Sequence, residues 1–170
     1  MIIGIVCVDE KWGIGKKNDL LFKLKKDMEV FKRETSDSIV VCGYNTLLSF
    51  PGSKPLRGRS TICLCPADVE RDDCFCIHSF EQLVALAKEL SKTQHIYIIG
   101  GAMLYNSMLP YYDNVFVNKV QADGGAEVFF PNLDENPNFD VLFTDEVITD
   151  GEYQTQLVEY IRKPAESFAD

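Results

Sequence analysis

The sequence predicts an α/β domain built on a mainly parallel central sheet. Six short runs, at 2–8, 38–42, 60–65, 74–77, 95–99 and 114–121, are rich in Val, Ile, Cys and aromatic residues, and several are apolar throughout, as suits strands covered on both faces. Segments of helical spacing lie between several of them, and helical crossovers join successive strands in parallel. At 170 residues and 46% hydrophobic content the chain fits one unit with a substantial core. Residues 1–162 are assigned to that single domain and 163–170 to a C-terminal tail.

Taken in order, Ile2-Ile3-Gly4-Ile5-Val6-Cys7-Val8 is the first strand. A helix is predicted over 24–34, where Leu24, Met28 and Phe31 stand at i, i+4 and i+7 as one apolar stripe. A short helix over 44–50 is closed by Pro51-Gly52. Ser79-Phe80-Glu81-Gln82 is a capping-box start, and Phe80, Leu83, Val84, Leu86 and Leu90 form the apolar side of that helix. Gly100-Gly101 opens the fourth helix and Pro110 stops it. Residues 139–147 and 153–161 flank the turn signal Asp150-Gly151 and carry many polar residues, which predicts a terminal antiparallel hairpin at the sheet edge.

The net charge of −9 argues against nucleic acid as a partner, because binding to phosphate backbones rests on dense Lys and Arg. No window reaches the roughly 18 unbroken apolar residues of a membrane span, and Met1 leads straight into the first strand with no basic leader. A cytoplasmic monomer that takes small molecules is expected. Cys63-Leu64-Cys65 and Cys74-Phe75-Cys76 place each thiol pair on one sheet face, where cysteine acts as a small hydrophobe, and the C-x-x-C spacing of zinc knuckles is absent. Reduced thiols and no metal are expected.

The chemistry centres on Gly13-Ile14-Gly15-Lys16-Lys17-Asn18-Asp19-Leu20-Leu21-Phe22 and on Asp27, an acid inside an apolar and basic helical pattern. At 100° per residue Asp27 lies about 60° from Leu24 and about 40° from Phe31, so it borders the stripe. It is either a surface acid paired with Lys23 at i, i+4, or a partly desolvated carboxyl whose raised pKa suits proton transfer near neutral pH. Strand-to-helix junctions at Ile99-Gly100-Gly101 and Cys42-Gly43-Tyr44 are ordinary turns or phosphate sites, and two at one sheet edge suit an extended nucleotide. Arg57-Gly58-Arg59 is a solvated basic turn or a fork for a carboxylate, which with Lys32 and Arg33 forms a local basic patch. Trp12, Phe22, Phe31 and Phe50 are core aromatics or the lining of a slot for a planar ring.

Ile5-Val6-Cys7-Val8, Trp12-Gly13-Ile14-Gly15, Asn18-Asp19-Leu20, Asp27 with Phe31, Gly43 with Thr46, Leu56-Arg57-Gly58-Arg59, Ile99-Gly100-Gly101 with Tyr105, and Phe129-Phe130-Pro131 follow one another in an order and spacing that resemble the dihydrofolate reductases. The likeness spans nearly the whole chain. It implies an eight-stranded, mainly parallel sheet with an antiparallel C-terminal hairpin and four helices, and reduction of 7,8-dihydrofolate by a hydride from NADPH.

The resemblance also implies roles for particular residues. Asp27 would hold the pterin and promote protonation at N5 through water, with Leu20, Phe22 and Asn118 beside it. Ile5, Val6, Phe31, Phe50 and Ile99 would line the substrate site, and Arg59 would take the α-carboxylate of the glutamate tail. Cys7, Ile14, Gly15, Gly43, Tyr44, Asn45, Thr46, Leu64, Cys65 and His78 would surround the cofactor, together with Gly100, Gly101, Ala102, Met103, Leu104 and Tyr105. A cis peptide between Gly100 and Gly101 is implied, as is a mobile flap over 16–22 that excludes water. Four sites depart from the pattern: Leu21-Phe22 replaces Pro-Trp, Asn118 replaces a threonine beside the acid, and Tyr44 and Cys65-Pro66 replace an Arg and a Ser or Thr that contact the 2′-phosphate. Two alternatives share the pattern: a same-fold reductase of a pyrimidine intermediate of flavin synthesis, and a catalytically silent folate- or nucleotide-binding protein.

Overall fold

A computed structural model describes residues 1–165, so 166–170 of the expected tail lie outside the described residues. The strands are β1 (Ile2–Val8), β2 (Gly13–Lys16), β3 (Asp19–Leu20), β4 (Ile39–Gly43), β5 (Ser60–Leu64), β6 (Phe75–Ile77), β7 (Ile96–Gly100), β8 (Asn114–Val120), β9 (Val128–Phe129), β10 (Phe139–Thr144), β11 (Ile148–Asp150) and β12 (Tyr153–Arg162). The helices are α1 (Lys25–Thr35), α2 (Tyr44–Ser49), α3 (Phe80–Leu90) and α4 (Ala102–Ser107). The main sheet runs β10-β12-β8-β1-β7-β4-β5-β6, parallel from β8 to β6 and antiparallel at β12 and β10.

The α/β class and the hairpin follow the sequence pattern, with two differences. Within 139–147 only Phe139–Thr144 is strand, and a further strand, β11, follows at Ile148–Asp150; both pair with β12, so the sheet has nine strands. A separate sheet, β3-β2-β9, was not expected. Its strands have two to four residues, and β2 pairs with β9 more than 100 positions away, beyond the reach of local periodicity.

Period-two alternation gives the sheet a core on each face. Ile2, Val6 and Val8 join one cluster with Ile98, Val115, Tyr112 and Phe130, while Ile3 and Ile5 join the other with Val40, Cys42, Leu47, Cys63 and Tyr97. Trp12 is core, stacked on Phe130 at 6.3 Å between ring centroids. Pro110 sits inside a 3-10 turn, Leu109–Tyr111, that follows α4. The stripe read on α1 is only half right, because Leu24 is buried but Met28 is 48% exposed. Within α1 only Thr35 is fully buried, since this helix borders a crevice and not the closed core. All six cysteines are free thiols, with the sulfurs of Cys65 and Cys76 3.4 Å apart. Among the described residues no cluster of His, Cys, Asp or Glu could hold a metal, and no helix is long and apolar enough to cross a membrane.

Candidate active site

The site lies at the carboxyl ends of the parallel strands, where open α/β sheets leave a crevice. Asp27 is in the first turn of α1, half-buried, with its Oδ1 accepting a 2.9 Å hydrogen bond from Nδ2 of Asn118. Asn118 lies on β8 in register with Cys7 of β1, so the sheet fixes the donor that meets the helix. The surface-pair reading fails: Lys23 pairs with Asp19 at 3.6 Å. Burial raises the Asp27 pKa above the ordinary carboxylate value, the Asn118 hydrogen bond works in the opposite direction, and the negative charge of Asp150 raises it further. The thiol of Cys7 is pushed well up by burial and then by Asp27, Asp150 and Asp9. Burial likewise raises the Tyr105 phenol, whose hydroxyl donates to the Ile5 carbonyl at 2.8 Å.

Arg59 is built as a fork with a free prong. Its Nε donates to Thr35 Oγ1 at 2.9 Å and its Nη1 to the Arg57 carbonyl at 3.0 Å, which locks the guanidinium plane and leaves Nη2 uncommitted. The guanidinium carbon lies 5.7 Å from the centroid of the Phe31 ring, so α1 carries the acid at one end and supports the cation near the other. Phe31 and Phe50 are partly buried against the cluster that contains Ile5 and Ile99. A register shift between β4 and β7 passes from Val41↔Ile98 to Cys42↔Gly100, and the β1–β7 pairing ends at Gly4↔Ile98. Ile99 therefore has no register partner on either neighbouring strand.

Two glycine junctions meet beside this pocket. A cis peptide joins Gly100 to Gly101, with the Tyr105 ring 3.3 Å from where a Cβ on Gly100 would lie. A Cβ on Gly101 would stand 3.3 Å from Thr46 Oγ1, and one on Gly43 would stand 3.8 Å from the Gly101 nitrogen. Neither α2 nor α4 has a side-chain cap.

Residues 1–162 match the family model described as dihydrofolate reductase. The chain belongs to the dihydrofolate reductase family. It is 31% identical to the dihydrofolate reductase of Bacillus subtilis over 137 residues, covering 80% of this chain and 79% of that protein. The Staphylococcus haemolyticus enzyme is also 31% identical, over 136 residues, covering 80% and 77%. A solved dihydrofolate reductase from Enterococcus faecalis, complexed with NADP(H) and RAB-propyl, superposes with a TM-score of 0.83 at 26% identity and covers 96% of this chain and 97% of its own.

Other residues that the reductase pattern singled out are less uniformly placed. Leu20, on β3, is 59% exposed, and Met103 is 83% exposed. Phe22 packs edge-on against Tyr153 at 4.8 Å, fastening the flap to the β11–β12 hairpin. Leu104 and Cys65 are buried in the core clusters, Val6 and Ile14 are buried as well, and Tyr44 and Leu64 are partly buried against those clusters. Ala102 opens α4, while Asn45 on α2 is exposed. His78 is committed, with Nε2 2.7 Å from Glu70 Oε1 and Nδ1 3.0 Å from the Pro66 carbonyl oxygen. Its hydrogen bond to Glu70 raises the imidazole pKa.

Sequence reasoning overlooked two buried acids. Asp9 accepts from the amides of Gly13 at 2.7 Å, Lys11 at 2.9 Å and Gly124 at 3.0 Å, tying the base of the flap to the loop before β9. Gly13 is required there, since a Cβ would fall 2.3 Å from the Cβ of Ala126. The flap is held further along by Glu127, whose amide donates to the Gly15 carbonyl at 2.9 Å and whose carboxylate accepts from the Lys17 amide at 3.3 Å. Asp150 read only as half of a turn signal, yet it is 2% exposed and bonds α1. No local pattern distinguishes an acid that satisfies distant amides from one in a solvated turn.

Proposed function

We infer that the protein reduces 7,8-dihydrofolate to tetrahydrofolate with NADPH, Asp27 being the acid that promotes protonation at N5. The observation that carries this reading is the half-buried carboxyl of Asp27, which is raised toward the protonated form and hydrogen-bonded to a neutral amide, with no cation beside it. An acid in that state can anchor a ring that presents N–H donors and is biased toward holding a proton. Ile5 and Ile99 add backbone carbonyls, and Phe31 and Phe50 add apolar walls for the ring and the segment beyond it. The unshared Nη2 of Arg59 takes the α-carboxylate of the glutamate tail. That prong favours a carboxylate-tailed substrate over a pyrimidine intermediate of flavin synthesis.

The glycine cradle fits the cofactor, because Gly100 and Gly101 present bare backbone where a Cβ would crowd Tyr105 and Thr46, and Gly43 lies against the Gly101 nitrogen. When bound, NADPH supplies the hydride that reaches C6. The remaining work belongs to the chain, in which the flap over 16–22 closes to exclude water while Asp9 and Glu127 hold its base. We also read the protein as having no nucleic-acid partner, on the strength of its charge of −9.

Mixing protein, NADPH and dihydrofolate is expected to lower absorbance at 340 nm. No loss would make the chain a silent binder, and loss only with another heterocycle would favour the alternative reductase. The 2′-phosphate contact is weak here, since Arg71 is committed to Asp73 at 2.8 and 2.7 Å and His78 to Glu70. Tyr44→Arg is therefore expected to raise the ratio of kcat/KM for NADPH over NADH by about tenfold or more, the effect of one charge-assisted hydrogen bond. Steady-state kinetics with both cofactors checks this, and an unchanged ratio would place the 2′-phosphate elsewhere.

A further inference from the structure

Helix α1 begins badly by its own sequence. Its N-cap is Leu24, which has no side-chain acceptor, so the amides of Lys26 and Asp27 in the first turn lack a local partner. The partner arrives from β11, more than 120 residues away: Asp150 Oδ1 accepts from the Lys26 amide at 3.2 Å and Oδ2 from the Asp27 amide at 3.0 Å. Asp150 is 2% exposed, and each of its oxygens accepts from one backbone amide of the helix. Beside it the Lys26 ammonium donates to the Thr149 carbonyl at 2.6 Å, a second link between the helix and the hairpin.

We propose that Asp150 is a positioning residue for the reduction: its buried carboxylate caps α1 and, by occupying the Lys26 and Asp27 amides, keeps the Asp27 carboxyl free to hold a proton. The proposal rests on the reading of Asp27 given above. An acid in the first turn of a helix ordinarily has its anion favoured by the free amides and the positive end of the helix dipole. Here a different carboxylate fills two of those amides and sets a negative charge against that field. The other groups facing Asp27 are uncharged at neutral pH: the Asn118 amide on β8, the Cys7 thiol on β1 and the Tyr105 phenol on α4. Asp150 is thus the charged group facing Asp27, adding to burial, the largest cause, against the Asn118 hydrogen bond, and its own element, the β11–β12 hairpin, also receives Phe22 of the flap through Tyr153.

Asp150→Asn keeps the size and an acceptor oxygen but removes the charge. It is expected to shift the titration of Asp27, followed by its carboxyl carbon resonance in the ligand-free protein, to lower pH. In parallel kcat/KM at pH 8 should fall about tenfold, one decade per pKa unit lost, while the acid plateau is retained. A merely structural role would lower the plateau and leave the midpoint in place, and that result overturns the proposal. Should the Asn variant fail to fold, Asp150→Ser provides the same readout. In the unmutated protein, slow exchange of the Lys26 and Asp27 amide hydrogens supports the cap and fast exchange overturns it. If Asp27→Asn were to retain its activity at neutral pH, the reading of Asp27 itself would fail, whatever Asp150 does to the titration.

Discussion

Asp27→Asn is expected to lower kcat/KM for dihydrofolate at pH 7 by about 10²–10⁴-fold, the contribution of a positioned general acid. The loss should shrink as the pH is lowered, because substrate that arrives already protonated needs no acid from the protein. The same substitution should leave stability intact or raise it. Asp27 has its pKa raised by folding, so its ionised form fits the folded state less well than the unfolded one, and stability falls as the pH rises through its titration. Asparagine removes that penalty at neutral pH and can still accept from Asn118. A melting temperature no lower than the parent's, together with the lost activity, would identify a functional carboxyl; near-normal turnover at pH 7 would refute its role.

Arg59→Ala is expected to raise KM for dihydrofolate by about 100-fold, with kcat changed much less. Charge-assisted hydrogen bonds contribute about 1.5–3 kcal/mol, and two decades in KM correspond to the upper part of that range. The split follows from position, since Arg59 sits on the flank of Phe31 beyond the reacting ring and binds ground state and transition state alike. Arg59→Lys should recover little, because an ammonium cannot keep its bonds to Thr35 and Arg57 and still offer a fork. Steady-state kinetics with dihydrofolate and with a pteridine lacking the glutamate tail separates the cases. Equal losses on both substrates would remove Arg59 from tail binding.

Much of the architecture was legible because it is periodic. The apolar runs of β1, β4, β5, β7 and β8 mark strands covered on both faces, and the Ser79 start of α3 is a true cap, with its hydroxyl accepting from the Gln82 amide at 3.3 Å. Asp27 and Arg59 were legible as candidates, an acid at the edge of an apolar stripe and paired arginines before a strand, each with a surface alternative that the sequence left open. The small sheet was not, because β2 and β9 find each other only in the folded chain. Met28 misled for a related reason: periodicity shows that a helix has an apolar side but not whether that side meets a closed core or an open crevice.

The sequence by itself determined the α/β class, the helix that carries the acid and the glycine junctions at the strand ends. Each of these depends on neighbours within a few turns of chain. Only the tertiary structure decided that Asn118 rather than Lys23 meets Asp27, that Arg59 keeps one prong free, and that Asp150 caps α1 from the far end of the chain. Protonation and charge are set by burial and by whichever groups the fold brings within hydrogen-bonding distance, and those distances do not exist until the sheet has formed.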